Sequence, residues 1–168
     1  LSADMTGVIL GELRKDGDDV PLPFGGYHWS VSHKPHYVAA VIGSGRMGID
    51  IEKIEPRKEN IFGYVASVEE WNLLGGQSWD SLYRCWTAKE AVLKSTGTGL
   101  AGLKACRVVD VRDDADISLW FEGCPYRVSQ LRHNGHIVSV VRNDNQVEWV
   151  ILDRPRSSSS EQPLNQAV

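Results

Sequence analysis

The feature that most constrains the fold is a predicted helix over residues 79–96, in the second half of the 168-residue chain. At 3.6 residues per turn, its apolar side runs through Leu82, Cys85, Trp86 and Leu93. Ser78 or Asp80 can cap its start, and Gly97 is a good residue to end it. A long helix with one apolar side needs other elements to cover that side, so we expect the core to be built around it.

Three charged residues of this helix lie on or beside its apolar side. Lys89 falls near the middle of that side, where an ammonium group must either reach solvent or find an anion. Glu90 and Lys94 lie on the flank, four residues and one helical turn apart. A plain surface ion pair explains this spacing, and a functional site is the alternative.

A second acidic feature lies in a predicted strand that begins at Met47. Asp50 and Glu52 are two residues apart, so their side chains point to one side, while Ile49 and Ile51 point to the other. Two carboxylates on one side of a strand repel each other unless water or a cation lies between them. The pair therefore indicates either an exposed edge strand or a divalent ion such as Mg2+, which binds hard oxygen ligands and completes its shell with water and substrate phosphates.

The remaining elements are mostly predicted strands. Residues 37–52 are typical of a hairpin with a turn at 43–45, and a helix over 65–74 is predicted to start near Ser67. After Gly102 the predicted strands are 105–111, 117–122, 126–131, 136–142 and 147–152. Together they predict an α+β fold in which a small antiparallel sheet wraps around the central helix.

Composition limits the classes of function. A formal net charge of -4 argues against a nucleic-acid binder driven by bulk charge, and no apolar run approaches membrane-spanning length. The three cysteines, Cys85, Cys106 and Cys124, form no close CxxC pair, which favours reduced thiols and hence a cytoplasmic protein. We therefore expect neither nucleic acid nor a membrane as a partner.

Histidines and one serine offer weaker alternatives. Three histidines lie five and three residues apart, in a spacing that zinc can use, although no cysteine is near: His28, His33 and His36. Ser32 beside His33 could suggest a nucleophile and its base, but adjacent residues rarely point at each other. A hydroxyl and an imidazole suit an anion such as phosphate better. His133 and His136 flank an Asn-Gly turn and are expected at the surface.

Three motifs together resemble the 4'-phosphopantetheinyl transferase superfamily, in its longer, Sfp-like branch. They are SVSH at 30–33, GIDIE at 48–52 and WTAKEAVLKSTGTGL at 86–100, in the order and spacing of that family. Each motif is weak by itself, and the combination is specific. The resemblance implies an enzyme that moves the 4'-phosphopantetheine arm of coenzyme A to a serine of an acyl or peptidyl carrier protein and releases 3',5'-ADP.

The resemblance also implies roles for individual residues. It gives three ligands of Mg2+: Asp50, Glu52 and Glu90. Glu90 is in addition the implied catalytic base, and Lys94 is the implied cation that stabilises the leaving phosphate. Ser32 and His33 match the contact to the 3'-phosphate of coenzyme A, and Lys89 is a further candidate for a phosphate.

The chain departs from the family pattern in its first part. Members of the longer branch have two similar lobes, and too few residues precede GIDIE here for a full first lobe. We predict a reduced N-terminal lobe at 1–45, a C-terminal lobe with the metal site at 46–153 and a flexible tail at 154–168. Either the first lobe is reduced, the sequence lacks its beginning, or a second chain completes the site, so both a monomer and an interface-completed oligomer stay open.

Two other functions fit the same motifs. The first is a non-catalytic relative that binds coenzyme A or a carrier protein. The second is another metal-dependent enzyme that acts on phosphoryl or pyrophosphate groups and needs no carrier protein.

Overall fold

The computed structural model describes residues 7, 9, 11–17, 19–142 and 144–152, and the predicted tail at 154–168 lies outside them. Within these residues, the strands are β1 (His28–Lys34), β2 (Tyr37–Gly43), β3 (Ile49–Lys53), β4 (Arg107–Val111), β5 (Asp116–Phe121), β6 (Cys124–His133) and β7 (His136–Val141). The helices are α1 (Ile61–Val65), α2 (Val68–Leu73) and α3 (Trp79–Thr96), and a 3-10 turn follows at Leu100–Gly102. The strands form an antiparallel pair, β1-β2, and a five-stranded antiparallel sheet in the order β3-β7-β6-β5-β4.

α3 is the predicted central helix, with the predicted bounds. Ser78 rather than Asp80 is its cap, since the Ser78 side chain accepts from the backbone N–H of Ser81 and the Ser81 side chain returns the contact. Gly97 ends the helix at φ 76°, in the left-handed region where a side chain would be strained. The helix packs on β3, β7, β6 and β5, and the prediction of a small sheet around a central helix is confirmed.

The predicted meander after Gly102 forms, with one exception. β4 to β7 follow one another as antiparallel neighbours, and their inward residues join the core under α3. The strand predicted at 147–152 is wrong, because these residues pair with no strand in the described part of the chain. Val147 and Trp149 instead pack over the outer face of the sheet, against a cluster that contains Ile49 and Val138.

The predicted hairpin over 37–52 is also wrong. β2 pairs with β1, and β3 pairs with β7, so that Asp50 lies opposite Ser139. Every residue from Ile49 to Glu52 is buried, whereas alternate residues of β2 are exposed. A strand that is buried on both faces needs a covering element on each face. α3 covers one face of β3, and Val147 and Trp149 pack over the other.

The helix predicted over 65–74, with its start near Ser67, corresponds to α2, and the separate short helix α1 precedes it. Ser67 has extended backbone angles between them, and its side chain accepts from the backbone N–H of Glu70 while Glu70 accepts from the N–H of Ser67. This reciprocal capping starts α2 at the residue that the sequence predicts. Among the described residues, no helix is long and apolar enough to cross a membrane.

The turn between β6 and β7 is less exposed than the sequence suggests. His136 is only 8% exposed, so its expected place at the surface is wrong, and His133 is partly buried. The ring of Tyr37 lies 4.5 Å from the ring of His136 and thereby ties β2 to this turn. Trp29 and Ile42 of the β1-β2 pair form a small separate cluster of their own.

Candidate active site

β3 brings two acidic side chains to the face of the sheet that α3 covers. Asp50 is 4% exposed and Glu52 is 9% exposed, while Ile49 and Ile51 pack on the outer face. This is the alternation that the sequence predicts for a strand. Of the two explanations for the acidic pair, an exposed polar edge is therefore ruled out, and the carboxylates need compensating groups inside the protein.

Asp50 is compensated at only one of its two oxygens. Its Oδ1 accepts from Lys94 Nζ at 2.7 Å and from Ser32 Oγ at 2.8 Å. Lys94 Nζ also donates to the carbonyl of Ile49 at 3.3 Å. Asp50 Oδ2 is buried and has no hydrogen-bond partner in the described part of the chain. A buried carboxylate oxygen without a donor is uncommon, and a bound cation would satisfy it.

Glu52 is compensated by cations at both oxygens. Lys34 Nζ lies 2.8 Å from Oε1, and Arg57 Nη2 lies 3.8 Å from Oε2. Lys34 is the last residue of β1, and the alternation along this strand places it on the same side as Ser30 and Ser32. Sequence reasoning missed both cations, although the alternation along β1 could have indicated Lys34.

Glu90 faces these acids from α3. Among the described residues, its carboxylate makes no hydrogen bond and no ion pair, and it is half-buried. Burial raises the pKa of Glu90 to about 7, and the charge of Asp50 adds to the rise, whereas Lys94 opposes it. The charge of Glu52 raises this pKa further. Three acids thus share one electrostatic environment, and Glu90 has no ion-pair partner of its own in the described part of the chain.

A cleft of ≈ 220 Å³ opens beside Glu90 and Lys94. Its other walls come from Trp29 to Val31 of β1, from the loop that carries Lys15, and from the glycine-rich segment after α3. Lys15 Nζ lies 2.9 Å from the carboxylate of Asp19 at the edge of this cleft. The cleft gives a ligand a route to Glu90 and Lys94.

The donor set suits a hard divalent cation. Asp50 Oδ2 and the carboxylate of Glu90 are oxygen donors without partners in the described part of the chain, and they lie in one negative field. Across the described residues, however, no three acidic, histidine or cysteine side chains are gathered closely enough to hold an ion. Ammonium groups neutralise Asp50 and Glu52 in that arrangement. A cation at Asp50 and Glu90 would therefore compete with Lys94.

Ser32 and His33, predicted to act together, lie on opposite faces of β1. Ser32 is buried and bonded to Asp50, whereas His33 is exposed beside its cross-strand neighbour Val38. Ser32 therefore belongs to the group around Asp50, and His33 can meet a ligand only from the other face. The same separation excludes a direct nucleophile–base contact between them.

Lys89 lies away from the cleft. It is fully buried, and its Nζ lies 2.8 Å from Glu70 Oε1 and 2.8 Å from the carbonyl of Val65. Of the two outcomes expected for this lysine, solvent or an anion, the structure has the second, and the anion is Glu70. The spacing of Lys89 and Glu70 does not indicate this contact, because the two residues belong to different helices. The pair borders a second cavity of ≈ 340 Å³, which Lys104 and Arg107 also line.

Comparison with known proteins identifies the family. A family model described as the 4'-phosphopantetheinyl transferase superfamily matches residues 46–147, which is more than half of the chain. The chain belongs to this superfamily. The matched segment contains β3, α3 and the meander, so it includes all three acids of the site. The resemblance drawn from the three motifs is confirmed.

Curated relatives carry the same description. The chain is 30% identical over 121 residues to a 4'-phosphopantetheinyl transferase of Bacillus subtilis, which covers 69% of this chain and 53% of that protein. It is 29% identical over 96 residues to the 4'-phosphopantetheinyl transferase Sfp of Bacillus subtilis strain 168, covering 55% of this chain and 43% of Sfp. It is 29% identical over 97 residues to the transferase psf-1 of Bacillus pumilus, covering 55% and 42%. The chain thus spans about half the length of the curated relatives that it matches.

Proposed function

We propose that this chain transfers the 4'-phosphopantetheine arm of coenzyme A to a serine of an apo carrier protein, with Mg2+ and with release of 3',5'-ADP. The observation that carries the proposal is that Glu90 and Lys94 line one cleft, with Asp50 paired to Lys94 behind it, in a member of this superfamily. Since the chain spans about half the length of its relatives, activity, substrate and partner are all proposals. The N-terminal lobe at 1–45, the metal-binding lobe at 46–153 and a cytoplasmic location belong to the same proposal.

The metal site that we propose consists of Asp50, Glu52 and Glu90. Support comes from the unpartnered Oδ2 of Asp50 and from the Glu90 carboxylate, which makes no contact with a cationic side chain among the described residues. A bound Mg2+ ion would neutralise the pyrophosphate of coenzyme A and polarise the phosphate under attack. Lys34 and Arg57 already neutralise Glu52, so we expect Glu52 to bind the ion more weakly than Asp50 does.

The side chains of this chain would supply the remaining steps. Glu90 takes the proton of the carrier serine as the serine oxygen attacks phosphorus. The bond between that phosphorus and the oxygen of the departing 3',5'-ADP breaks. Lys94 stands next to the ion site and stabilises the charge of the leaving phosphate. For the 3'-phosphate of coenzyme A we propose His33, which is exposed, whereas Ser32 lies on the opposite face of β1 and would reach a phosphate only by leaving Asp50. Lys89 would reach a phosphate only by leaving Glu70.

A binding protein without catalysis is the second candidate. One observation favours it: Lys94 and Lys34 neutralise Asp50 and Glu52, so that the acids have partners even with no ion present. Glu90→Gln separates the two candidates. If the chain only binds, the wild type shows no transfer and the variant keeps the affinity of the wild type for coenzyme A. If the chain is the enzyme, the wild type transfers phosphopantetheine and the variant does not.

Intact-mass spectrometry of an apo acyl carrier protein tests the proposal directly. Incubation with this chain, coenzyme A and Mg2+ should add one phosphopantetheine to the carrier protein. A chelator and Glu90→Ala should each abolish the gain, while Glu59→Ala, an exposed glutamate outside the site, should leave it unchanged. Absence of any gain with fatty-acid and peptide-synthetase carriers, with binding of coenzyme A intact, would favour the binding protein.

A further inference from the structure

A row of polar side chains crosses the sheet underneath α3. Asp50 of β3 lies opposite Ser139 of β7, and Ser139 lies opposite Gln130 of β6. All three side chains are buried. Direct cross-strand neighbours point to the same face of a sheet, and this face is the one that α3 covers. Polar groups in such a place need partners, and the helix supplies them.

Each member of the row is bonded to one residue of α3. The contacts are Lys94 Nζ with Asp50 at 2.7 Å, Thr87 Oγ1 with Ser139 Oγ at 2.6 Å and Arg84 Nε with Gln130 Oε1 at 3.0 Å. Positions 84, 87, 91 and 94 fall on one side of a helix. At position 91 the contact is steric, because a Cβ on Gly48 would lie 1.8 Å from the carbonyl oxygen of Ala91. The helix is thus held at four points along the same side.

The directions of these hydrogen bonds follow from counting protons. The carbonyl of Tyr83 can only accept, so the Thr87 hydroxyl donates to it at 2.7 Å. Ser139 must then donate to Thr87, and Gln130 Nε2 donates to Ser139 Oγ at 2.8 Å. The second proton on Gln130 Nε2 goes to the carbonyl of Arg84 at 2.9 Å. In this one arrangement, every donor and acceptor of the buried network has a partner. Such a network is therefore specific for one position of the helix on the sheet.

We propose that Thr87 and Ser139 are positioning residues that set where α3 lies along β3, and thereby hold Glu90 and Lys94 opposite Asp50. The importance of that alignment for catalysis rests on the proposed function. Glu90 follows Thr87 by three residues, so a displacement of Thr87 along the sheet moves the carboxylate with it. A slide by one residue amounts to about 1.5 Å and about 100° of rotation, enough to take Glu90 away from the acids. The hydrophobic effect has no direction, whereas each hydrogen bond of this network requires one alignment of α3 on the sheet.

Acylation of Lys94 tests the inference without depending on catalysis. The contacts of its Nζ with Asp50 and Ile49 should protect it from acetic anhydride, and the exposed Lys53 serves as the internal reference. Thr87→Val keeps the shape and removes the hydroxyl, and it should raise the acylation rate of Lys94 several-fold. Ser139→Ala should raise the acylation rate of Lys94 by a smaller factor, and in Thr87→Ser this rate should equal that of the wild type.

The matched control is Ile117→Val, a destabilising substitution in the core of β5, where the cross-strand partner is Val128 and not a member of the row. An unchanged Lys94 rate in both Thr87→Val and Ser139→Ala would overturn the inference. So would an equal rise in Ile117→Val, because the effect would then be general loosening.

Transfer kinetics give a second readout. Thr87→Val should lower kcat about tenfold or more at saturating Mg2+, with little change in the KM for coenzyme A, since misplacement of a reacting group costs rate rather than ground-state binding. Thr87→Ser should restore kcat. If the wild-type chain transfers nothing, the proposed function fails, and the acylation rates still decide whether Thr87 and Ser139 position the helix.

Discussion

Two ion pairs on α3, five residues apart, belong to very different surroundings. Lys89 and Glu70 have side chains that are 1% and 5% exposed, and Glu70 also accepts from the backbone N–H groups of Ser67 and Val108. Lys94 is 32% exposed, and its partner Asp50 has an oxygen with no donor among the described residues. The first pair has its polar groups satisfied and joins α2, α3 and β4. The second has an oxygen without a donor among the described residues and a partly exposed lysine, so it has capacity left for a ligand.

The difference shows why a charged pair by itself indicates nothing about function. Both pairs have nearly the same length, 2.8 Å and 2.7 Å. They differ in what remains unsatisfied around them and in access to solvent. We call Lys89–Glu70 the closed pair and Lys94–Asp50 the open pair. The closed pair contributes mainly to the stability of the fold, whereas the open pair can exchange its partner for a ligand.

The largest expected effect is on stability. Lys89→Met should lower the free energy of unfolding by about 3 to 5 kcal/mol, because it leaves the Glu70 carboxylate buried without its cation. Lys94→Met should lower it by less, because Lys94 is 32% exposed and Asp50 keeps the hydrogen bond from Ser32. Urea denaturation of the two variants measures both values. Equal losses in the two variants would show that the two ion pairs contribute equally to stability, whatever their surroundings.

Removal of the second charge should recover part of the larger loss. Adding Glu70→Gln to Lys89→Met should restore about 1 to 2 kcal/mol, since no buried charge remains, although the single amide oxygen can accept from only one of the two backbone N–H groups. The same urea experiment on the double variant provides the number. A double variant that is less stable than Lys89→Met would mean that Glu70 acts through its backbone contacts rather than through the ion pair.

Mg2+ should distinguish the two pairs as well. At about ten times its dissociation constant, the ion should stabilise the chain by about 1.4 kcal/mol through the open pair. Asp50→Asn should abolish the rise in melting temperature that Mg2+ produces, and Glu70→Gln should preserve it. A rise of the same size in Asp50→Asn would place the ion elsewhere.

The smallest expected effect is a pH dependence of the closed pair. Burial raises the pKa of Glu70, but the Lys89 ammonium and the two backbone N–H groups outweigh it and hold this pKa below its ordinary value. A lowered folded-state pKa contributes stability above the unfolded-state pKa, and this contribution is lost as the pH falls through the folded-state value. Glu70→Gln should therefore show a shallower loss of stability on acidification, measured by urea midpoints across the acid range. Parallel curves for variant and wild type would contradict this account.

Local signals accounted for a large part of the fold. The bounds of α3 follow from Ser78 and Gly97, which act on the backbone within a single turn. The alternation along β3 placed Asp50 and Glu52 on one face, and the three motifs indicated the superfamily that the comparison confirmed. The wrong expectations concern the hairpin at 37–52, the strand at 147–152 and the exposure of His136, and each depends on what covers a segment rather than on the segment itself.

The sequence by itself determined where α3 starts and stops, which side chains share a face of β3 and to which superfamily the chain belongs. Only the tertiary structure decided that β3 pairs with β7, that Glu70 is the anion for Lys89 and that Ser139 meets Thr87. The physical reason is distance along the chain. Caps and alternation act over a few residues, whereas the Thr87–Ser139 contact joins residues 52 positions apart. Such a contact forms only once burial has chosen which strands lie under the helix.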